Sequence, residues 1–183
     1  TFRFSLLSLL SVAAETPEGH SVRIVDEQFD EIPWESDAGL VGITCMTALA
    51  PRAYEIADEF RKRGRPVVLG GMHPTFCSGE ALRHADAVVA GEAEGVWAQV
   101  VEDAQNGRLQ GVYRRAGVCD LRGLKRPPNH LLKRGGYSTY PVLATRGCPH
   151  RCAFCSVSAF NQGVQRKRPV GEVVAEVAAL PSR

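Results

Sequence analysis

No run in this 183-residue chain approaches the roughly 18 consecutive apolar residues that a membrane-spanning helix needs, so no membrane span is expected. The apolar opening over residues 2–14 ends in small residues, as the core of a signal peptide would. Ser5, Ser8 and Ser11 interrupt it at helical spacing, however, and that fits an amphipathic helix docked on a surface. An excess of one charge is lacking too. The 22 Lys and Arg against 20 Asp and Glu leave a net charge of +2, too small to predict nucleic acid as a partner. There is no disulfide framework either: Cys45, Cys77 and Cys119 are scattered, which predicts reduced thiols and a cytoplasmic protein. The chain lacks an initiating methionine and stops soon after its most distinctive motif, so it reads as a fragment with a piece missing at each end. With 44% hydrophobic residues it can bury one good core, or one domain and part of another.

Between residues 20 and 115, short apolar runs alternate with amphipathic ones, the pattern of a parallel sheet covered by helices. Strands are expected at residues 21–25, 39–44, 66–69 and 87–90. Ala53, Tyr54, Ile56, Ala57 and Phe60 recur at helical spacing, and Val96, Trp97, Val100 and Val101 share one face of a second helix. Open parallel sheets bind ligands beyond the carboxyl ends of their strands. The informative loops are therefore residues 44–48, 70–75 and 91–94. The glycine pair Gly70 and Gly71 lets backbone approach a large planar or phosphate-bearing ligand, although such pairs also make plain turns. Glu92 and Glu94, two residues apart, do not stand side by side on a helix. Glu94 is expected near the start of the following helix, where negative charge is favourable, and Glu92 as a cap or a contact to ligand hydroxyls. Trp34 and Trp97 read as packing residues.

Residues 116–139 are rich in glycine, proline and arginine and carry no periodicity, so they read as a linker, pinned by Leu121, Leu124, Leu131 and Leu132. The basic residues Arg122, Lys125, Arg126, Lys133 and Arg134, and the run Arg166, Lys167, Arg168, are expected to be solvated charge. Three segments result: an α/β domain over 1–115, the linker over 116–139, and the start of a second domain over 140–183.

That second domain carries Cys148, Cys152 and Cys155, spaced C-x3-C-x2-C. Their i, i+4, i+7 spacing also suits a buried helical stripe. Gly147 and Pro149 oppose that, and the apolar segment from Tyr140 favours a strand opening into a cysteine loop. Three thiolates on one short loop suit an iron–sulfur cluster, with zinc as the alternative. His150 lies inside the loop, where residues between ligands usually face solvent. No fourth cysteine completes the run, and an unfilled coordination position is what separates a reactive metal site from a structural one. Pro169 then opens a helix through Val173, Val174 and Val177.

The run Thr145-Arg146-Gly147-Cys148-Pro149-His150-Arg151-Cys152-Ala153-Phe154-Cys155 resembles the cluster signature of the radical S-adenosylmethionine (SAM) superfamily. The resemblance implies that Cys148, Cys152 and Cys155 hold a [4Fe-4S] cluster whose open iron chelates SAM. Phe154 would pack near the cluster and adenine. An external electron donor of flavodoxin or ferredoxin type would reduce the cluster, and cleavage of SAM would give a 5′-deoxyadenosyl radical. Only the first βα unit of a partial TIM-like barrel fits after Tyr140, and such a fragment is not expected to be active alone.

Ahead of that signature, the loops resemble the cobalamin-binding, Rossmann-like (flavodoxin-like) domain of the B12-dependent radical SAM class. Thr44, Met46 and Thr47 fall where such domains carry hydroxyl and bulky apolar residues beside the cofactor tail, and Gly70 and Gly71 fall on their glycine pair. Gly91 and Glu92 complete the set of implied contacts. The D-x-H-x-x-G motif that supplies a cobalt ligand in mutases is absent; its strand and loop would lie upstream of Thr1. His73 is the candidate substitute, against the reading that it hydrogen-bonds locally. The implied reaction is radical methylation or rearrangement of a small-molecule or lipid-type substrate. Two rivals stand beside it. One is a tRNA methylthiotransferase with a second cluster on Cys45, Cys77 and Cys119; the other is a non-catalytic metal- or cofactor-binding module.

Overall fold

The computed structural model describes residues 6–132, 136–150 and 152–180; Lys133, Arg134 and Arg151 lie outside them. The chain divides into two compact units. One comprises residues 16–19 and 31–116, and the other takes in residues 20–30, the segment before 16 and the segment from 117 onward.

Along the chain, α1 is Leu7–Glu15, β1 Val41–Thr44, α2 Ala50–Lys62, β2 Val67–Gly70, α3 Met72–Phe76, α4 Ser78–Ala81, β3 Ala87–Ala90, α5 Trp97–Gln105 and β4 Gly111–Arg114. The four strands form one parallel sheet in the order β1-β2-β3-β4. Its register pairs Ile43 with Leu69, Leu69 with Val88 and Val88 with Val112. The two central strands are Val-rich, and Val67, Val68, Leu69, Val88 and Val89 are all buried, as expected of parallel strands covered on both faces. From α2, Ala53, Tyr54, Ala57 and Phe60 pack in one cluster with Val67, Leu69, Val88 and Ala90. Pro51 lies in the first turn of α2, and Arg61 and Lys62 stand in its last turn, where cations complement the carbonyl end of the helix dipole. Asp86 fastens the start of β2, accepting the Val67 N–H at 2.8 Å and Arg61 Nε at 3.2 Å.

Three of the four expected strands form. The fourth, at residues 21–25, does not: the described residues there have no ladder partner, and β1 pairs only with β2. Alternating Val22, Ile24 and polar neighbours satisfy the strand pattern, but a strand exists only where a neighbour accepts its hydrogen bonds. The segment ends instead in a turn built on Asp26, whose carboxylate accepts the Gln28 N–H at 3.0 Å and the Tyr137 hydroxyl at 3.0 Å. Tyr137 also meets the Phe29 ring edge-on at 5.1 Å. The strand β4 was not expected. It is an edge strand with Gly111, Val112 and Arg114 exposed, so no buried alternation announced it.

In the other unit, β5 (Thr145–Arg146) pairs antiparallel with β6 (Arg166–Lys167), α6 is Ser156–Phe160 and α7 is Val170–Ala178. Arg168 is buried, not solvated. Its Nη1 donates to Leu143 O at 2.9 Å and to Glu176 Oε2 at 2.5 Å. Arg166 donates to Cys119 O at 2.7 Å and Asn161 Oδ1 at 2.6 Å. Strand alternation sends residues 166 and 168 to one side, and there both find acceptors. Leu121 and Leu132, from the expected linker, are buried.

Leu69 is fully buried at the centre of the sheet. Leu69→Ala is expected to lower unfolding free energy by about 2–5 kcal/mol, read by urea denaturation, with an unchanged m-value.

Candidate cofactor site

The loops beyond the carboxyl ends of β1, β2 and β3 are tied to one another by backbone and hydroxyl hydrogen bonds. Cys45 N–H donates to Gly70 O at 3.1 Å, and His73 N–H donates back to Cys45 O at 3.2 Å. Thr75 extends the brace: its hydroxyl donates to Gly71 O at 2.7 Å and accepts the Gly91 N–H at 2.8 Å. Gly71 sits at φ +95°, in left-handed backbone that glycine alone adopts freely. A Cβ there would lie 2.5 Å from Thr44 Oγ1 and 3.0 Å from Cys45 O. The glycine pair thus does two jobs at once, turning the chain and letting two loops touch.

Around this floor stand exposed apolar side chains, with Met46 at 64%, Leu49 at 60% and Phe76 at 49% exposure. Thr47 is exposed and opens a short 3-10 turn before α2, while Gly91 and Glu92 are half-buried at the β3 end. A glycine cradle with apolar flanks fits a large, flat, partly apolar cofactor such as cobalamin. Glu94 lies just ahead of α5, as expected, where Trp97 N–H donates to Ala93 O; its side chain is buried, and Arg115 Nη1 donates to its backbone carbonyl at 3.4 Å. Trp97 packs as expected, with Nε1 donating to Thr16 Oγ1 at 2.9 Å, and Trp34 lies 5.4 Å from Phe60.

His73 is buried with both ring nitrogens engaged. Nε2 lies 2.9 Å from the Tyr54 hydroxyl and 3.6 Å from Glu80 Oε1, and Nδ1 lies 3.3 Å from Thr47 Oγ1. Local hydrogen bonding is thus where its ring is committed. Tyr54 stacks on His84 at 4.2 Å, and His84 Nδ1 meets Asp58 at 2.9 Å. Burial, then the Glu80 carboxylate accepting from it, and then the nearby Cys45 and Cys77 push the Tyr54 hydroxyl up to about 12. Burial likewise raises the Cys45 thiol. Thr75 and Tyr54 are the working residues that sequence reasoning left out. Thr75 shared a loop with His73, and its position one turn after Gly71 was the available signal.

The cysteine loop runs between β5 and β6. Cys148 and Cys155 are half-buried, Cys152 is exposed, and all three are free of disulfides. His150 is exposed and Phe154 is 92% exposed. Gly147, at φ +85°, presses against the Val164 carbonyl so closely that no Cβ fits. Cys155 immediately precedes α6 and makes no side-chain cap hydrogen bond, while at the other end Asn161 Nδ2 donates to Val157 O at 2.9 Å. Three free thiols around a loop with an exposed tip are a donor set that suits an iron–sulfur cluster.

Residues 6–101 match the B12-binding domain family. The chain belongs to this family. Its B12-binding domain is an α/β fold built on a parallel sheet. The chain is 41% identical to the bacteriochlorophyllide d C-8(2)-methyltransferase of Chlorobaculum tepidum, over 80% of the chain and 34% of that protein. It is 31% identical to the bacteriochlorophyllide d C-12(1)-methyltransferase of the same organism, over 97% of the chain and 40% of that protein. The hopanoid C-2 methylase of Rhodopseudomonas palustris is 24% identical over 92% of the chain and 33% of its own length. The chain therefore spans about a third to two fifths of the length of these relatives. No helix among the described residues is long and apolar enough to cross a membrane.

Two outcomes are expected. Gly71→Ala forces a side chain into the Thr44 hydroxyl and into left-handed backbone, and should cost about 1–3 kcal/mol by chemical denaturation. Tyr54, whose folded-state pKa lies above its unfolded value near 10, contributes stability that is whole below pH 10 and is lost as pH rises through about 12. Tyr54→Phe should flatten that alkaline loss, measured by urea midpoints across the range.

Proposed function

We propose that this chain belongs to a cobalamin-dependent radical SAM methyltransferase acting on a small-molecule or lipid-type substrate. The braced, glycine-lined carboxyl edge of the sheet carries this reading. It is joined by the cysteine loop, and the methyltransferase names of relatives matched along most of the chain support it. We assign residues 1–115 to the cobalamin domain, 116–139 to a linker and 140–183 to the start of the radical SAM domain.

In this assignment Thr44, Met46, Thr47, Gly70, Gly71, Gly91 and Glu92 contact cobalamin. His73 acts through Thr47, whose hydroxyl it reaches at 3.3 Å. Cys148, Cys152 and Cys155 bind a [4Fe-4S] cluster, with Phe154 beside it. When bound, the cluster supplies the electron that cleaves SAM to a 5′-deoxyadenosyl radical, and cobalamin supplies the methyl group. The chain's own contribution is positional. Gly147 and Val164 close the neck of the loop, Arg166 ties it to Asn161 and Cys119, and Arg168 locks β6 to Leu143 and α7. An external donor of flavodoxin or ferredoxin type supplies electrons.

Anaerobic reconstitution with iron, sulfide and cobalamin tests the reading. About four irons and one cobalamin per chain are expected, with a low-temperature paramagnetic signal after dithionite that changes when SAM is added. Cys152→Ala should lose the iron and keep the cobalamin. Two clusters without cobalamin would turn the assignment to a methylthiotransferase, and zinc alone to a structural module.

A further inference from the structure

Among the described residues, one set of three potential metal ligands brings its donor atoms within 4.8 Å of one another: His73, Cys77 and Glu80. We propose that this trio binds a divalent cation of the zinc class behind the glycine pair, a site separate from the cysteine loop and independent of any cluster there.

The local fold explains the convergence. Cys77 joins α3 to α4, closing the first and opening the second, with its own backbone outside the helical region at φ −119°, ψ 42°. Cys77 N–H donates to His73 O at 2.9 Å and Ala81 N–H to Cys77 O at 2.9 Å. One turn thus ends on Cys77 and another starts there, and across this junction the donor atoms of His73, Cys77 and Glu80 converge. One imidazole nitrogen, one thiol and one carboxylate form the mixed donor set that zinc takes; magnesium and calcium prefer oxygen alone. His73 Nε2 already lies 3.6 Å from Glu80 Oε1. The His73 side chain is buried, Cys77 is half-buried and the Glu80 side chain is 43% exposed, so a solvated ion can enter from the Glu80 side.

Three protein ligands leave a fourth tetrahedral position; metal on Nε2 replaces that nitrogen's 2.9 Å hydrogen bond to the Tyr54 hydroxyl, which is then free to hydrogen-bond a water. Cys77 binds as thiolate, its proton passing to buffer, and no electron moves. Metal on Nε2 fixes the proton on Nδ1, which then donates to Thr47 Oγ1 at 3.3 Å. Bound zinc would in this way stiffen the β1 loop through its own ligand.

The test uses the full chain carrying C148A, C152A and C155A, so that no thiol of the cysteine loop competes. Zinc is titrated against a chromophoric chelator after metal removal, with cobalt(II) as spectral probe. One zinc per chain and a tetrahedral cobalt spectrum with a thiolate charge-transfer band are expected. Cys77→Ser should abolish that band, and Cys77→Ser and Glu80→Gln should each weaken zinc at least about tenfold with unchanged circular dichroism. Absence of bound zinc, or zinc indifferent to both substitutions, overturns the proposal. A second measurement needs no variant: in the unsubstituted chain, zinc should slow alkylation of Cys77 as mapped by mass spectrometry. An unchanged rate there overturns the proposal equally. Neither readout depends on iron or cobalamin, so the cluster assignment can fail while this one stands.

Discussion

The close approach of Gly71 to Thr44 and Cys45 is the constraint on which the carboxyl edge of the sheet depends. Beyond the last ladder bond of a parallel strand, each following loop must find partners for its own backbone groups. Here the β1 and β2 loops use each other, Cys45 donating to Gly70 and accepting from His73. That exchange requires the two chains to lie closer than any side chain at residue 71 permits. Once it is made, Thr75 can reach both Gly71 and Gly91, and three loops become one floor. The exposed Met46, Leu49 and Phe76 then stand at fixed heights above it. Exposed apolar groups on a rigid polar floor are what a large cofactor with a flat face would cover.

Legibility followed burial. β2 and β3 were readable because their faces are both covered, which forces a continuous apolar run, and α2 was readable because its core face repeats at helical spacing. β4 was not, because an edge strand with exposed residues carries no such signature. Residues 21–25 failed in the opposite direction: the alternation was there but the ladder partner was not. Periodicity reports which faces are apolar, not which strand lies alongside. The glycine pair and the cysteine loop could be singled out from sequence as candidates. Their supports, Thr75 and the Arg166 and Arg168 anchors, were not, since a hydroxyl or guanidinium becomes informative only when its acceptor is known.

The basic run after the cysteines shows how far charge alone misleads. Counted in sequence, Arg166, Lys167 and Arg168 look like a solvated patch; folded, Arg168 and Glu176 form a buried ion pair, and Glu172 accepts the Gly123 N–H. Burying such a pair gains little stability over an apolar replacement, because desolvation offsets the attraction. Removing one partner is another matter and costs about 3–5 kcal/mol, since a lone charge is stranded. The pair therefore discriminates. Any slip of β6 along β5 would separate Arg168 from Glu176 and from the Leu143 carbonyl together, so the register that pairs Arg146 with Arg166 is held by a penalty on its alternatives. A two-residue ladder is too short to fix register by itself. With the penalty in place, Gly147 meets Val164 at one position only, and the loop that carries the three free thiols keeps a fixed neck.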